Sequence, residues 1–152
     1  MNILIKGKHE NFVIPFKSHE RDFCYDCVAV SKTYIDDNRI QYGLGFSLEI
    51  DPEDPMHESM KDDFIFSFDL RPRSSIHKTG LILSNSIGTG DEDYRGEYAV
   101  VFYNLDKSLP EYEIGDKVCQ LKVGFTPIIK FTETKDLTIT DRGAGGFGST
   151  GK

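Results

Sequence analysis

The chain lacks most of what would mark a membrane, secreted or polymer-binding protein. No run of 18 apolar residues occurs in its 152 residues, so no transmembrane helix is expected. No signal-like apolar segment opens it, and a soluble cytoplasmic protein is the expectation, in host cytoplasm if the source is viral. Basic residues are few: 18 Lys and Arg face 25 Asp and Glu, for a formal charge of −7, and no long basic run is present. That balance argues against gripping a nucleic-acid polymer by its phosphates. A small polyanion held by a few Arg residues and a metal is compatible with it. Cysteine is scarce. Cys24, Cys27 and Cys119 make an odd count that suits a reducing compartment rather than a disulfide framework. Cys24 and Cys27 form a CxxC, but zinc needs two more ligands, and neither a second CxxC nor an HxxxH pair exists. Inert thiols on a strand are expected instead. No internal repeat is visible, and no window shows a capped 3.6-residue apolar period.

What is present is β signal. Apolar or alternating runs occupy Asn2 to Ile5, Phe12 to Phe16, Tyr25 to Val30, Arg39 to Ile50 and Phe64 to Leu70. Others are Gly80 to Leu83, Tyr98 to Leu105, Lys117 to Val123 and Pro127 to Phe131. They are rich in Val, Ile, Phe and Tyr and are punctuated by Asp, Asn, Gly and Pro, which predicts an all-β sandwich, jelly roll or barrel. Asp51 to Asp63 (DPEDPMHESMKDD) interrupts the pattern with six acidic residues and two Pro. It reads as a solvated loop with one helical turn near Met56 to Lys61, and it lacks the spacing and mid-loop Gly of a Ca²⁺-binding loop.

Several polar stretches could carry chemistry. Arg142 to Gly151 (RGAGGFGSTG) interleaves five Gly with Arg, Phe, Ser and Thr. Gly allows backbone N–H groups to converge on an anion, Arg forks onto phosphate, and Phe offers a face to a base. A Gly-rich tail is the alternative that composition allows. Arg71-Pro72-Arg73-Ser74-Ser75 ends an apolar strand with two Arg and two hydroxyls, a possible phosphate site. Gly88 to Glu97 (GTGDEDYRGE) reads as a turn, or as a carboxylate that activates water beside an aromatic ring. Gln120, polar within an apolar strand, must find a hydrogen bond or a ligand.

In order and spacing these stretches resemble the five motifs of the trimeric, all-β dUTPase family (deoxyuridine triphosphate nucleotidohydrolases). FCYDCVA at 23–29 is similar to Ala-Gly-Tyr-Asp-Leu-x-Ala, and PRSS at 72–75 to Pro-Arg-Ser-Gly. GTGDEDYRGE at 88–97 resembles Gly-x-Ile-Asp-x-x-Tyr-Arg-Gly-Glu, and GDKVCQL at 115–121 resembles Gly-Asp-x-Ile-Ala-Gln-Leu. RGAGGFGSTG is a nearly complete fifth motif. The resemblance implies a jelly-roll-like core over residues 1–140 and a lid arm over 141–152 that orders above a triphosphate.

It also implies roles. Asp91 would deprotonate the water that attacks the α-phosphorus of dUTP, giving dUMP and pyrophosphate. Tyr94 would pack under the deoxyribose and exclude a 2′-hydroxyl. A hairpin from Asn85 through Gly88 and Thr89 to Gly90 would read uracil through backbone groups. Arg73, Ser74 and Ser75 would hold phosphates, joined by Gln120 of a neighbouring subunit. Arg142, Gly148, Ser149 and Thr150 would close over the β- and γ-phosphates while Phe147 stacks on uracil. Mg²⁺ chelated by the phosphates would be supported through water by Asp26. Each site would draw on three chains, so a homotrimer is implied, with no nucleic-acid polymer or membrane as partner.

The departures carry their own expectations. Phe23 and Cys24 replace Ala and Gly, so packing near Asp26 should differ. Ser75 replaces a Gly and is strained if its φ is positive. Gly90 replaces a branched residue, which would loosen Asp91. Arg-Ser-Ser also resembles the related dCTP deaminases, but their Arg falls at Lys78 and their catalytic Glu at Val101, which cannot shuttle a proton. The other alternative is a nucleotide-gated regulator on the same fold.

Overall fold

The computed structural model describes residues 1–146. Ten strands form a jelly-roll-like assembly: β1 (Ile3–Gly7), β2 (Tyr25–Val28), β3 (Ser31–Tyr34), β4 (Arg39–Gly43), β5 (Phe46–Ile50), β6 (Phe64–Arg71), β7 (Leu81–Leu83), β8 (Gly88–Asp91), β9 (Ala99–Asn104) and β10 (Lys117–Pro127). One short helix, α1 (Pro55–Met60), lies within the acidic insert, and a 3₁₀ turn covers Ser74–Lys78. One four-stranded sheet runs β2-β10-β6-β8, the other β3-β4-β9-β7, and β1 pairs with β5. Every pairing is antiparallel.

Period-two alternation builds the core. On β6, Phe66, Phe68 and Leu70 point inward and are buried; on β9, Val100 and Phe102 do the same. With Ile40, Tyr42, Leu44, Phe46 and Leu48 they form one continuous core shared by both large sheets. Each such side chain contributes about 1.5–3 kcal/mol on burial. On β10 the alternation breaks at Val118 and Cys119, which are both buried. A bulge explains it: Lys117 pairs with Val28 while Cys119 already pairs with Cys27.

Three of the expected strands differ. Phe12 to Phe16 contributes only a bridge between Phe16 and Asp26, because Pro15 has no N–H to give to a ladder. Arg39 to Ile50 is two strands, separated at Leu44 and Gly45. Pro127 ends β10 because its partner β6 begins at Phe64, directly opposite; just beyond it the Ile128 N–H donates to the Asp63 carbonyl (2.8 Å). One strand, β8 (GTGD), carries almost no β propensity and exists through its neighbour β6. Among the described residues no helix is long and apolar enough to cross a membrane.

Candidate active site

The first, second and fourth motif-like stretches meet around one carboxylate. Asp26, on β2, is only 5% exposed. Its Oδ1 accepts from Gln120 Nε2 at 3.0 Å and Arg73 Nε at 3.3 Å, and its Oδ2 from Lys117 Nζ at 2.9 Å. Ser18 Oγ approaches Oδ2 at 3.5 Å. Lys117 and Gln120 stand three apart and would face opposite sides of a regular strand; the bulge in β10 brings both to Asp26. Burial pushes the Asp26 carboxyl up, but the hydrogen bonds from Lys117 and Gln120 and the charges of Arg73 and Lys117 outweigh it and hold it below the usual carboxylate range. Arg73 Nη1 also reaches the Lys117 carbonyl (3.3 Å) and Ser75 Oγ (3.5 Å). Ser75 lies in the 3₁₀ turn, and the only non-Gly positive φ among the described residues belongs to Ser86, so the feared strain at Ser75 is absent. Ser74 is exposed on the same turn. Sequence reasoning passed over Lys117 and Ser18 as ligands of Asp26; only the bulge and the Phe16–Asp26 bridge bring them there.

The third stretch forms a different kind of place. β7 and β8 are not a mutually paired hairpin: β7 pairs with β9 and β8 with β6, so the connection crosses between sheets. It turns tightly at Asn85 and Ser86, with Ser86 at φ 62°, its N–H on the Leu83 carbonyl (3.1 Å), and the Asn85 side chain over Gly88. A non-Gly residue in that region stores strain, which recurs at ligand clamps. Thr89 turns its hydroxyl to Asp69 (3.2 Å). Asp91 ends β8, exposed, and its carboxylate makes no hydrogen bond or ion pair to a described residue. Tyr94 follows one turn later, its N–H on the Asp91 carbonyl (3.1 Å) and its hydroxyl on the Glu97 carbonyl (3.1 Å). Only Gly fits at position 96, since a Cβ there would sit 2.2 Å from the Tyr94 hydroxyl.

The loss of a branched side chain at Gly90 is filled from the next strand. A Cβ at Gly90 would meet the Tyr98 ring at 2.6 Å, so the ring occupies that space. Tyr98 is 3% exposed, packs on Phe46 and Phe68, and meets the Tyr94 ring edge-on at 5.3 Å between centroids. Burial pushes its hydroxyl up to about 12, and that hydroxyl has no partner among the described residues. The sequence signal was present in Gly90 and Tyr98 together, but only the fold shows them touching.

Within one chain the two groups stand apart. Gln120 pairs with both Asp26 and Arg71, whereas Asp91 pairs with Ser67, four residues back along β6. Asp26 and Asp91 are also three strands apart in the order β2-β10-β6-β8. At about 3.3 Å per residue and 4.8 Å per strand, that diagonal is about 20 Å. Arg142 joins neither group in this chain; its Nε donates to the Gly145 carbonyl (2.9 Å). Phe147, Gly148, Ser149 and Thr150 lie outside the described residues.

No set of three or more His, Cys, Asp or Glu residues able to hold a metal exists among the described residues. Cys27 and Cys119 face each other across β2 and β10 in the core, and Cys24 is half-buried just before β2. Asp26, buried beside Lys117 and Arg73, suits a hard cation that takes its oxygens from a triphosphate and water, as Mg²⁺ does.

The sequence model of the family described as dUTPase matches residues 69–151, which takes in the end of β6, the Asp91 turn and β10. The deoxyuridine 5′-triphosphate nucleotidohydrolase of Clostridium novyi (strain NT) is 33% identical over 155 residues, covering 99% of both chains. That of Hydrogenobaculum sp. (strain Y04AAS1) is 33% identical over 159 residues with the same coverage. A variant dUTPase of Staphylococcus bacteriophage 80alpha, solved with dUpNHpp, superposes with a TM-score of 0.75 over 99% of each chain at 17% identity, so it shares the fold. With relatives aligned from end to end and the family's own segment falling on the stretch that carries Arg73, Asp91 and Gln120, the chain belongs to the dUTPase family.

Proposed function

We propose that the protein hydrolyses dUTP to dUMP and pyrophosphate in sites completed by different chains of a homotrimer. The observation that carries the reading is Asp91: exposed, with no hydrogen bond or ion pair from its carboxylate to a described residue, and held one turn from Tyr94 at the end of β8. A general base must reach its water within hydrogen-bond distance, and a free carboxylate is able to. Asp91 takes a proton from water as the water oxygen bonds to the α-phosphorus. The bond from that phosphorus to the bridging oxygen breaks in line, and pyrophosphate leaves with the electron pair. Tyr94 floors the deoxyribose, and the Asn85–Gly90 segment reads uracil with its backbone.

Arg73, Ser74, Ser75 and Gln120 hold phosphate, and Lys117 adds a second cation beside Arg73. Preorganised positive charge there offsets the charge that develops on pyrophosphate. The phosphates would hold Mg²⁺, with Asp26 supporting it through water, and the ion supplies further charge neutralisation when bound. Arg142, Gly148, Ser149 and Thr150 are assigned to the β- and γ-phosphates and Phe147 to the uracil face. The separation of about 20 Å between Asp26 and Asp91 supports a shared site, because one chain cannot bring Asp91's water to a phosphate held beside Asp26.

The test is pyrophosphate release from dUTP, dCTP, dTTP and UTP with Mg²⁺, for the wild type and Asp91→Asn. Hydrolysis of dUTP alone, reduced about a thousandfold in the variant, is expected. Tight dUTP binding without turnover would replace this reading with a nucleotide-gated regulator. Ammonia from dCTP would replace it with deamination, against which Val101 stands on β9 where a proton-shuttling Glu is needed.

A further inference from the structure

The acidic insert is the one marked feature of the sequence that the reaction leaves unused, and it docks on the catalytic turn. Helix α1 is N-capped by Asp54, whose Oδ1 accepts from the N–H groups of Met56 (2.9 Å) and His57 (3.2 Å). Six residues cannot sustain a helix alone, so α1 depends on what it packs against. Met60 packs on the core, and the His57 side chain, 12% exposed, lies on the Phe66 ring with centroids 5.6 Å apart. The expected helical turn is there with none of its residues fully buried, and it carries an inward-facing side through Met60 and His57.

His57 Nε2 lies 2.9 Å from Glu92 Oε1, and Glu92 is the residue after Asp91. A bond to a carboxylate requires the proton on Nε2. Among the described residues Nδ1 is buried without a partner, so the Nε2 bond is the one hydrogen bond there that fixes the ring. Glu92 Oε2 accepts from the Phe66 N–H at 2.8 Å. Because Ser67 pairs with Asp91, Phe66 is where the ladder would continue; the Glu92 side chain takes that N–H and ends β8 at Asp91. The Glu92 carbonyl accepts from Arg95 Nη1 (2.7 Å), whose Nη2 pairs with Glu49 (2.9 Å). Glu92 thus gathers the anchors of the turn that carries Asp91 and Tyr94, and His57 holds its carboxylate in place.

We propose that His57 is a positioning residue for Asp91, acting through Glu92, which makes the insert a brace for the catalytic turn. The inference rests on Asp91 being the base. Its test compares His57→Ala with His57→Gln, whose amide N–H can reach the same carboxylate. In His57→Ala, kcat for dUTP should fall about tenfold while KM stays within about twofold. Hydrogen exchange at the Tyr94 amide, bonded to the Asp91 carbonyl, should quicken in the same variant. Gln should restore both. Wild-type kcat in His57→Ala, with Asp91→Asn inactive, overturns the brace alone. A fall in kcat that tracks lost thermal stability and that Gln does not rescue also overturns it, leaving His57 a packing residue. An active Asp91→Asn would instead remove the reading beneath.

Discussion

Asp26 and Asp91 are both aspartates on edge strands of one sheet, and they live in opposite circumstances. Asp26 is buried, and its oxygens are taken by Lys117, Gln120 and Arg73. Asp91 is exposed and uncommitted. A carboxylate bound by two cations is a poor base, since its proton affinity is depressed; a free one at a strand end can accept a proton from water. The difference separates two tasks that the sequence presents as equivalent Asp residues in motif-like stretches. One aspartate organises positive charge, and the other is left available for chemistry.

The comparison breaks most visibly under substitution. Asp91→Asn should cost activity about a thousandfold and leave the urea midpoint unchanged, since no folded contact is lost. Asp26→Ala should do the reverse in kind, destabilising the fold by about 2 kcal/mol by leaving Lys117 and Arg73 without their counter-charge. A wild-type urea midpoint in Asp26→Ala would show the cluster to be ornamental to the fold.

Acid sharpens the same contrast. Because the folded Asp26 carboxyl lies below its ordinary value, its contribution is fully present above the unfolded-state pKa and is lost as pH falls through the folded one. Wild type should therefore lose more stability than Asp26→Asn between about pH 5 and pH 2, measured by thermal melts. Parallel curves would contradict the pairing. The smallest effect concerns the wall behind Asp91. Gly90→Val should cost about 1–3 kcal/mol by overlapping the Tyr98 ring, and adding Tyr98→Leu should recover most of it. Simple additivity of the two changes would mean that the positions do not share one space.

Much of this was legible in the sequence where residues act locally. Alternating apolar runs marked β6, β9 and β10 because burial on one face imposes period two. Arg73, Asp91, Tyr94 and Gln120 stood out because motif-like spacing surrounds them. What remained hidden depends on partners distant along the chain. β8 reads as a polar turn because its stability comes from β6 and not from its own GTGD. Lys117 joins Asp26 only because one extra residue bulges β10. His57 meets Glu92 across 35 positions, and no local pattern announces that contact. Tyr98 behind Gly90 is likewise a tertiary substitution of bulk, written in two places and read in one.

The central claim is that the Asp26–Arg73 group and the Asp91 turn of a working site come from different chains. Co-refolding equimolar Asp91→Asn and Arg73→Ala chains, each inactive alone, tests it directly. In a randomly mixed trimer with sites shared between neighbours, about a quarter of sites regain both groups, so about a quarter of wild-type dUTP turnover should return. No recovery in trimers shown by mass to be mixed would place both groups of each site in one chain and contradict the account.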